Sequence, residues 1–168
     1  MAAKEKTLQD LFLETLKDIY YAEKKILTAL PKMAKASHSE ELRAAFEKHQ
    51  RETEGQVERL ERVFDLMEES AKGKKCPAIE GLIEEGKEVM KDFKTSPAHD
   101  SGLLSGAQAV EHYEISRYGT LIAWANELGM REAARLLEQT LVEEKNTDKA
   151  LTALAESALN QQAQQAAE

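Results

Sequence analysis

Glutamates on the apolar side of a helical pattern are the residues here whose chemistry needs explaining. At about 100° per residue, Glu23 lies on the stripe formed by Phe12, Ile19, Leu27 and Leu30, so its carboxylate should face the interior. Glu114 repeats the arrangement among Val110, Tyr118 and Leu121, with Glu111 one turn earlier toward the edge of the same face. Glu144 sits between Leu137, Leu141 and Leu151, and Asp148 follows one turn on. A fourth stretch is polar at the same depth, since His49, Glu52, Thr53 and Gln56 interrupt the run from Phe46 to Leu60. An isolated buried carboxylate is costly, and several converging at one level repel unless protonated or neutralised by cations. Hard oxygen ligands from four segments suit two Fe or Mn ions. The competing reading is a metal-free polar layer, with the acids paired to Arg117, His49, Tyr20 and Tyr118 to fix helix register.

Such a site needs long helices to hold it. A first segment, about 7–37, begins at Thr7, whose hydroxyl can cap it, and contains Pro31, where a kink is expected. A second, about 39–71, opens at Ser39 with Glu40 and Glu41 in the first turn and is stopped by Gly73. A shorter amphipathic segment, 77–95, starts at Pro77 and turns Ile79, Leu82, Ile83, Val89, Met90 and Phe93 to one side before Ser96-Pro97 closes it. Two more, about 100–128 and 130–160, flank Gly129, and the Gln- and Ala-rich tail after Asn160 is expected to fray. Short, long and short connections describe an all-α four-helix bundle with a long crossover carrying an extra short helix, the wiring of ferritin-like folds, in one domain over 1–168. Shifting the chain by about 91 positions lays Glu23 on Glu114, Leu30 on Leu121, Phe46 on Leu137, Glu52 on Glu143 and Leu60 on Leu151, so the two helix pairs look like copies of one hairpin.

Composition removes other classes. With 31 acidic and 23 basic side chains the net charge is −8, which repels phosphate backbones, so no nucleic-acid partner is expected. Only 5% of residues are aromatic and the pattern is rich in helix formers, which excludes an all-β fold. No apolar run is long enough to span a membrane, and the N-terminus lacks the apolar core of a signal peptide, so a cytoplasmic location is expected. The lone Cys76 fits a reducing compartment. It follows Lys74-Lys75 at a helix start, yet with no organised His beside it a redox role is the weaker reading and a buried thiol the simpler one. His112 points away from the stripe toward the surface or a dimer contact, His38 and His99 sit in connections as capping or solvated residues, and Trp124 and the methionines read as core. No Gly-rich phosphate loop, Ser nucleophile elbow or Cys-pair zinc motif appears in the sequence.

Several stretches together carry a resemblance over nearly the whole chain. They are Asp18-Ile19-Tyr20-Tyr21-Ala22-Glu23-Lys24 with Ala29-Leu30-Pro31-Lys32, His49 through Thr53 with Gln56, and Lys75-Cys76 followed by Glu80-Gly81-Leu82-Ile83-Glu84-Glu85. The most specific is Val110-Glu111-His112-Tyr113-Glu114-Ile115, continued by Tyr118-Gly119-Thr120-Leu121 and Thr140-Leu141-Val142-Glu143-Glu144-Lys145. The chain resembles the YciE/YciF family of bacterial ferritin-like stress proteins, which implies a ferritin-like bundle, often a homodimer, associated with stress and without an established reaction. It is more distantly similar to rubrerythrin, where single and paired Glu on two helices join a Glu-x-x-His motif on each of the others. In that comparison Glu23 matches the single Glu and Glu111 with Glu114 the pair. The histidines are missing, since Gly55 stands three after Glu52 and Thr147 three after Glu144. His49 could then supply a nitrogen, Gln56, Glu143 and Asp148 oxygens, and Tyr20 and Tyr118 hydrogen bonds behind the ligands. The expected site is thus dinuclear, held by Glu23, Glu52, Glu111, Glu114 and Glu144, with Glu111, Glu114 or Glu52 bridging. It would handle peroxide, oxygen or ferrous iron with an external electron donor. The alternative is a metal-free dimeric interaction protein, and whether the chain is an enzyme stays open.

Overall fold

Thr7 opens the first helix by a reciprocal capping box: its hydroxyl accepts from the Asp10 N–H, and the Asp10 carboxylate accepts from the Thr7 N–H. The computed structural model describes residues 5–165. Its elements are α1 (Leu8–Ala36), α2 (Glu40–Leu66), α3 (Pro77–Asp92), α4 (His99–Glu127), α5 (Arg131–Leu154), a π-helical turn (Ala155–Leu159) and α6 (Asn160–Gln165), with no strand among the described residues. Pro31 lies inside α1, which continues past it to Ala36. The boundaries at 71, 95 and 160 are corrected. α2 stops at Leu66, because Glu68 turns to a positive φ of 57° and the N–H groups of Glu68 and Glu69 bond back to the Asp65 and Phe64 carbonyls. Nothing apolar beyond Met67 would reward another turn: Glu68 through Lys72 are exposed. α3 ends at Asp92, and the tail expected to fray is helical through Gln165, the remaining positions 166–168 lying outside the described residues. α4 ends by the same double bond as α2, with Gly129 at φ 72° supplying the left-handed residue.

α1 packs on α2 and α4, α5 packs on α2 and α4, and α3 lies against α4 and α1. At one end the Asp100 carboxylate accepts from the backbone N–H groups of His38 and Ser39, while further along Tyr118 meets Glu23, so α1 and α4 are antiparallel. Gln56 meets Glu144 and Arg59 meets Thr140, which sets α2 antiparallel to α5. The crossover over 67–98 therefore runs the length of the bundle, the ferritin-like wiring. His99 is buried rather than solvated: its ring stacks on His38 at 4.6 Å and its Nε2 lies 3.1 Å from the Ala36 carbonyl.

The core has two apolar ends. Phe12, Leu16, Leu60, Phe64 and Leu137 fill one, and Leu30, Leu42, Phe46, Leu103 and Leu151 the other. Trp124, Met33, Met67, Met90 and Met130 pack against it, partly buried. Gly106 lies inside α4, two turns from its start, and a Cβ there would meet nothing within 4 Å. A helix-interior glycine costs about 0.5–1 kcal/mol relative to alanine. Gly106→Ala is accordingly expected to stabilise the protein by about that amount in urea melts; a loss of stability would mean the space beside it is not open.

Candidate metal centre

Between the two apolar ends lies a layer to which all four long helices contribute. Glu23 comes from α1, His49 and Gln56 from α2, Glu111 and Glu114 from α4, and Glu144 from α5, and all six are buried. Glu111 and Glu114 share one face because they are three residues apart, as His49 and Gln56 do at two turns. Thr53 between the latter is buried, its hydroxyl donating to the His49 carbonyl at 2.9 Å. One ligand atom each of His49, Glu111, Glu114 and Glu144 lies within 4.8 Å of all the others. Glu23 adjoins this group, interacting with Glu114 and accepting a hydrogen bond from the Tyr118 hydroxyl. Gln56 donates to Glu144.

Burial is the largest force on these groups. It raises Glu23 to about 8, with the Glu144 charge adding to it, and Glu111 to about 7. Glu114 and Glu144 are driven well above the ordinary carboxyl range, again chiefly by burial. Two carboxylates facing each other, as Glu23 with Glu114 and Glu111 with Glu144, attract only if one of them keeps a proton. Burial acts on His49 in the opposite sense, lowering it to about 4. Its Nε2 lies 3.4 Å from Glu111 Oε1, so this is the approach of a neutral imidazole to a carboxyl group rather than an ion pair. A neutral imidazole is the form that ligates metals.

Other residues expected at the site stand apart from this inner group. Glu52 is at the margin, paired with Lys48 and 3.4 Å from the Thr147 hydroxyl. Glu143 is likewise marginal, bound by Arg59 and by Gln56 Nε2 at 3.2 Å. Asp148 turns to His112 and Gln108, each at 3.1 Å, and His112 is exposed. Tyr20 donates to Glu61 at 2.9 Å and packs edge-on against Phe64, so it does not stand behind the ligands; Tyr118 does. Of the partners the register-layer reading assigns to the acids, Arg117 is instead over the Tyr113 ring at 5.3 Å. Cys76 is buried, capping α3 through the Ile79 N–H and lying 3.0 Å from the Tyr113 hydroxyl, which donates to Asp18. Arg59, which clamps Glu143 and donates to Thr140 at 3.0 Å, carried no signal in the sequence pattern because its partners lie on another helix.

Fold and layer together define a four-helix bundle of ferritin-like wiring with a buried carboxylate–histidine cluster at mid-length. Residues 7–164 match the family described as "Domain of unknown function (DUF892)". The chain is 47% identical over 160 residues to Protein YciF of Escherichia coli (strain K12), covering 95% of this chain and 96% of that protein. It belongs to this YciF family, as the resemblance implied. The crystal structure of the E. coli stress protein YciF is 46% identical with a TM-score of 0.88, over 93% of this chain and 99% of that one. The structure of YcfI from Rhodopseudomonas palustris is 44% identical with a TM-score of 0.85, over 90% and 97%. No helix among the described residues is long and apolar enough to cross a membrane.

Proposed function

We propose that the buried layer holds two divalent ions, Fe or Mn, and that the protein serves stress conditions through them, as the E. coli relative's description as a stress protein suggests. One observation carries this reading: the buried side-chain atoms without a hydrogen-bond partner gather here. They are Glu23 Oε2, His49 Nδ1, Gln56 Oε1, Glu111 Oε2, both Glu114 oxygens and Glu144 Oε2; outside the layer only His99 Nδ1 and the Ser101 hydroxyl are in that position among the described residues. Native proteins rarely leave such groups unmatched, and each needs an explanation. Four carboxylates carry −4 when ionised, which two divalent ions balance. Oxygen-rich donors with one imidazole suit Fe or Mn, and four Glu with one His falls one histidine short of the usual di-iron set of such bundles. Glu23, His49, Glu111, Glu114 and Glu144 would hold the pair. Such ions supply one-electron chemistry toward peroxide, oxygen or ferrous iron. The chain's own part is to fix the ligands: Tyr118 orients Glu23, Gln56 orients Glu144, and Arg59 holds Glu143 beside them. Electrons would come from an external donor, since a single cysteine cannot build a rubredoxin-like site.

Metal analysis of protein purified without chelator tests this, with about two ions per chain expected. Glu114→Ala and Glu144→Ala should abolish binding, whereas Glu52→Ala, at the margin, should leave most of it. Absence of metal after anaerobic reconstitution with Fe or Mn would return the layer to a register-setting role.

A further inference from the structure

The candidate centre does not lie at the bottom of a sealed core. A cavity of about 190 Å³ opens between α1, α3 and α4, and its inner end is formed by Phe46, His49, Glu111, Thr147 and Leu151. Its walls are apolar: Leu30 and Met33 from α1, Leu82 and Met90 from α3, Ala107 and Val110 from α4. Two glycines help keep it open. Gly86 in α3 and Gly106 in α4 both line it, and a Cβ at either would meet nothing within 4 Å. Neither helix needs glycine for close packing there, and a larger side chain at either position would enter the space.

Charge decides which ligand suits it. In a chain of net charge −8 the charged side chains at the outer part are three lysines, Lys25, Lys32 and Lys87. Lys25 is matched by Glu80 at 3.2 Å and Lys87 by Glu84 at 2.8 Å. Lys32 is exposed and has no ion-pair partner among the described residues. The inner end offers the acid Glu111 and no positively charged group, so nothing there draws an anion inward. An apolar cavity of about 150 Å³ admits benzene, so this one has room for some six to eight carbons.

We propose that this cavity is a binding site for an unbranched aliphatic carboxylate of medium length, its head at Lys32 and its chain directed inward toward His49 and Glu111. The site goes beyond the metal reading and stands without it, because walls and rim contain no candidate ligand other than the two at its inner end.

Octanoate titrated into the protein as purified, followed calorimetrically and by NMR shifts of cavity-lining methyl groups, tests the proposal. A Kd on the order of 0.1–1 mM is expected, since each buried methylene contributes about a fourfold factor. Hexanoate should bind about 15-fold more weakly on the same basis. Octyltrimethylammonium, with the same tail and the opposite charge, should bind at least tenfold more weakly. Gly106→Leu should weaken octanoate at least tenfold with metal content unchanged, and Gly86→Leu provides an independent filling variant if the first folds poorly. Lys32→Glu should weaken octanoate but leave 1-octanol binding as it was. Affinity indifferent to chain length, equal binding of the cationic analogue, or octanoate binding that survives both filling variants would overturn the assignment. So would a cavity that takes no octanoate and whose filling shifts only the sedimentation coefficient, which would make this face a contact between copies. Metal content measured in every sample keeps a failure here distinct from a failure of the metal reading.

Discussion

Metal-free protein will become less stable as pH is raised from about 6.5 to about 8, and metal-loaded protein will not. Glu23 holds its proton to about 8 and Glu111 to about 7, against 4.5 for an ordinary glutamate, and Glu114 and Glu144 are also raised. A folded-state pKa above the unfolded one gives stability that is complete below 4.5 and is lost as pH climbs through the folded value. His49 has the opposite sign. Lowered from 6.5 to about 4, it adds stability as pH rises between those two values and nothing further above 6.5. The acids and the imidazole therefore partly cancel below 6.5, and above it only the acids act. There each proton kept by the folded chain and absent from the unfolded one lowers stability by about 1.4 kcal/mol per pH unit. Metal binding runs the other way, because it requires the carboxylates deprotonated. Urea midpoints of chelated and metal-loaded protein at pH 6.5, 7.2 and 8 should diverge; parallel, flat profiles would contradict the convergence of acids.

Removing Glu114 alone should make the metal-free fold more stable while abolishing metal binding. No N–H or hydroxyl donor reaches either buried Glu114 oxygen, and their neighbours are other carboxyl groups, which Glu114 can meet favourably only through a retained proton. Glu114→Met, similar in volume, is expected to stabilise chelated protein at pH 7.5 by about 1 kcal/mol or more, the lower end of the range seen when whole buried ion pairs are replaced by packed apolar groups. Glu23→Leu should gain less or lose, because it leaves the fully buried Tyr118 hydroxyl without its acceptor, at a cost of about 1–3 kcal/mol. Adding Tyr118→Phe to Glu23→Leu should recover that loss. Urea melts of the four proteins decide it. Destabilisation by Glu114→Met would mean that Glu114 is a paired member of a register layer.

The inner acids were legible because a carboxylate on an apolar stripe has no other place to go: Glu23, Glu114 and Glu144 follow from helical period alone. Caps were legible for the same local reason, at Thr7, Ser39 and Gly129. Depth among neighbouring polar residues was not. Glu52 drew attention as one of the polar residues that interrupt the run from Phe46 to Leu60 and again through the Glu-x-x-His template, yet the internal repeat already paired it with Glu143, and both are at the margin held by a base, Lys48 and Arg59 respectively. The positions that face inward are the next ones along, Thr53 and Glu144, both buried. Tyr20 was misplaced because its partner Glu61 lies on another helix, where spacing within one segment says nothing. The end of α2 was missed because its left-handed residue is a glutamate, Glu68, and not a glycine.

The placement of the polar layer at mid-length also bears on how the molecule opens. The buried apolar residues form one cluster that continues past the layer through Ile19, Ala22, Ile26 and Tyr118, but four carboxyl groups thin it there, between Phe12, Leu16, Phe64 and Leu137 on one side and Leu30, Leu42, Leu103 and Leu151 on the other. Without ions, this level, where buried carboxyl groups face one another, is expected to hold the bundle least tightly, and amide hydrogens near it should exchange faster than those at either end. Ions bound to side chains of all four long helices would rivet that level and slow the exchange there to the pace of the ends.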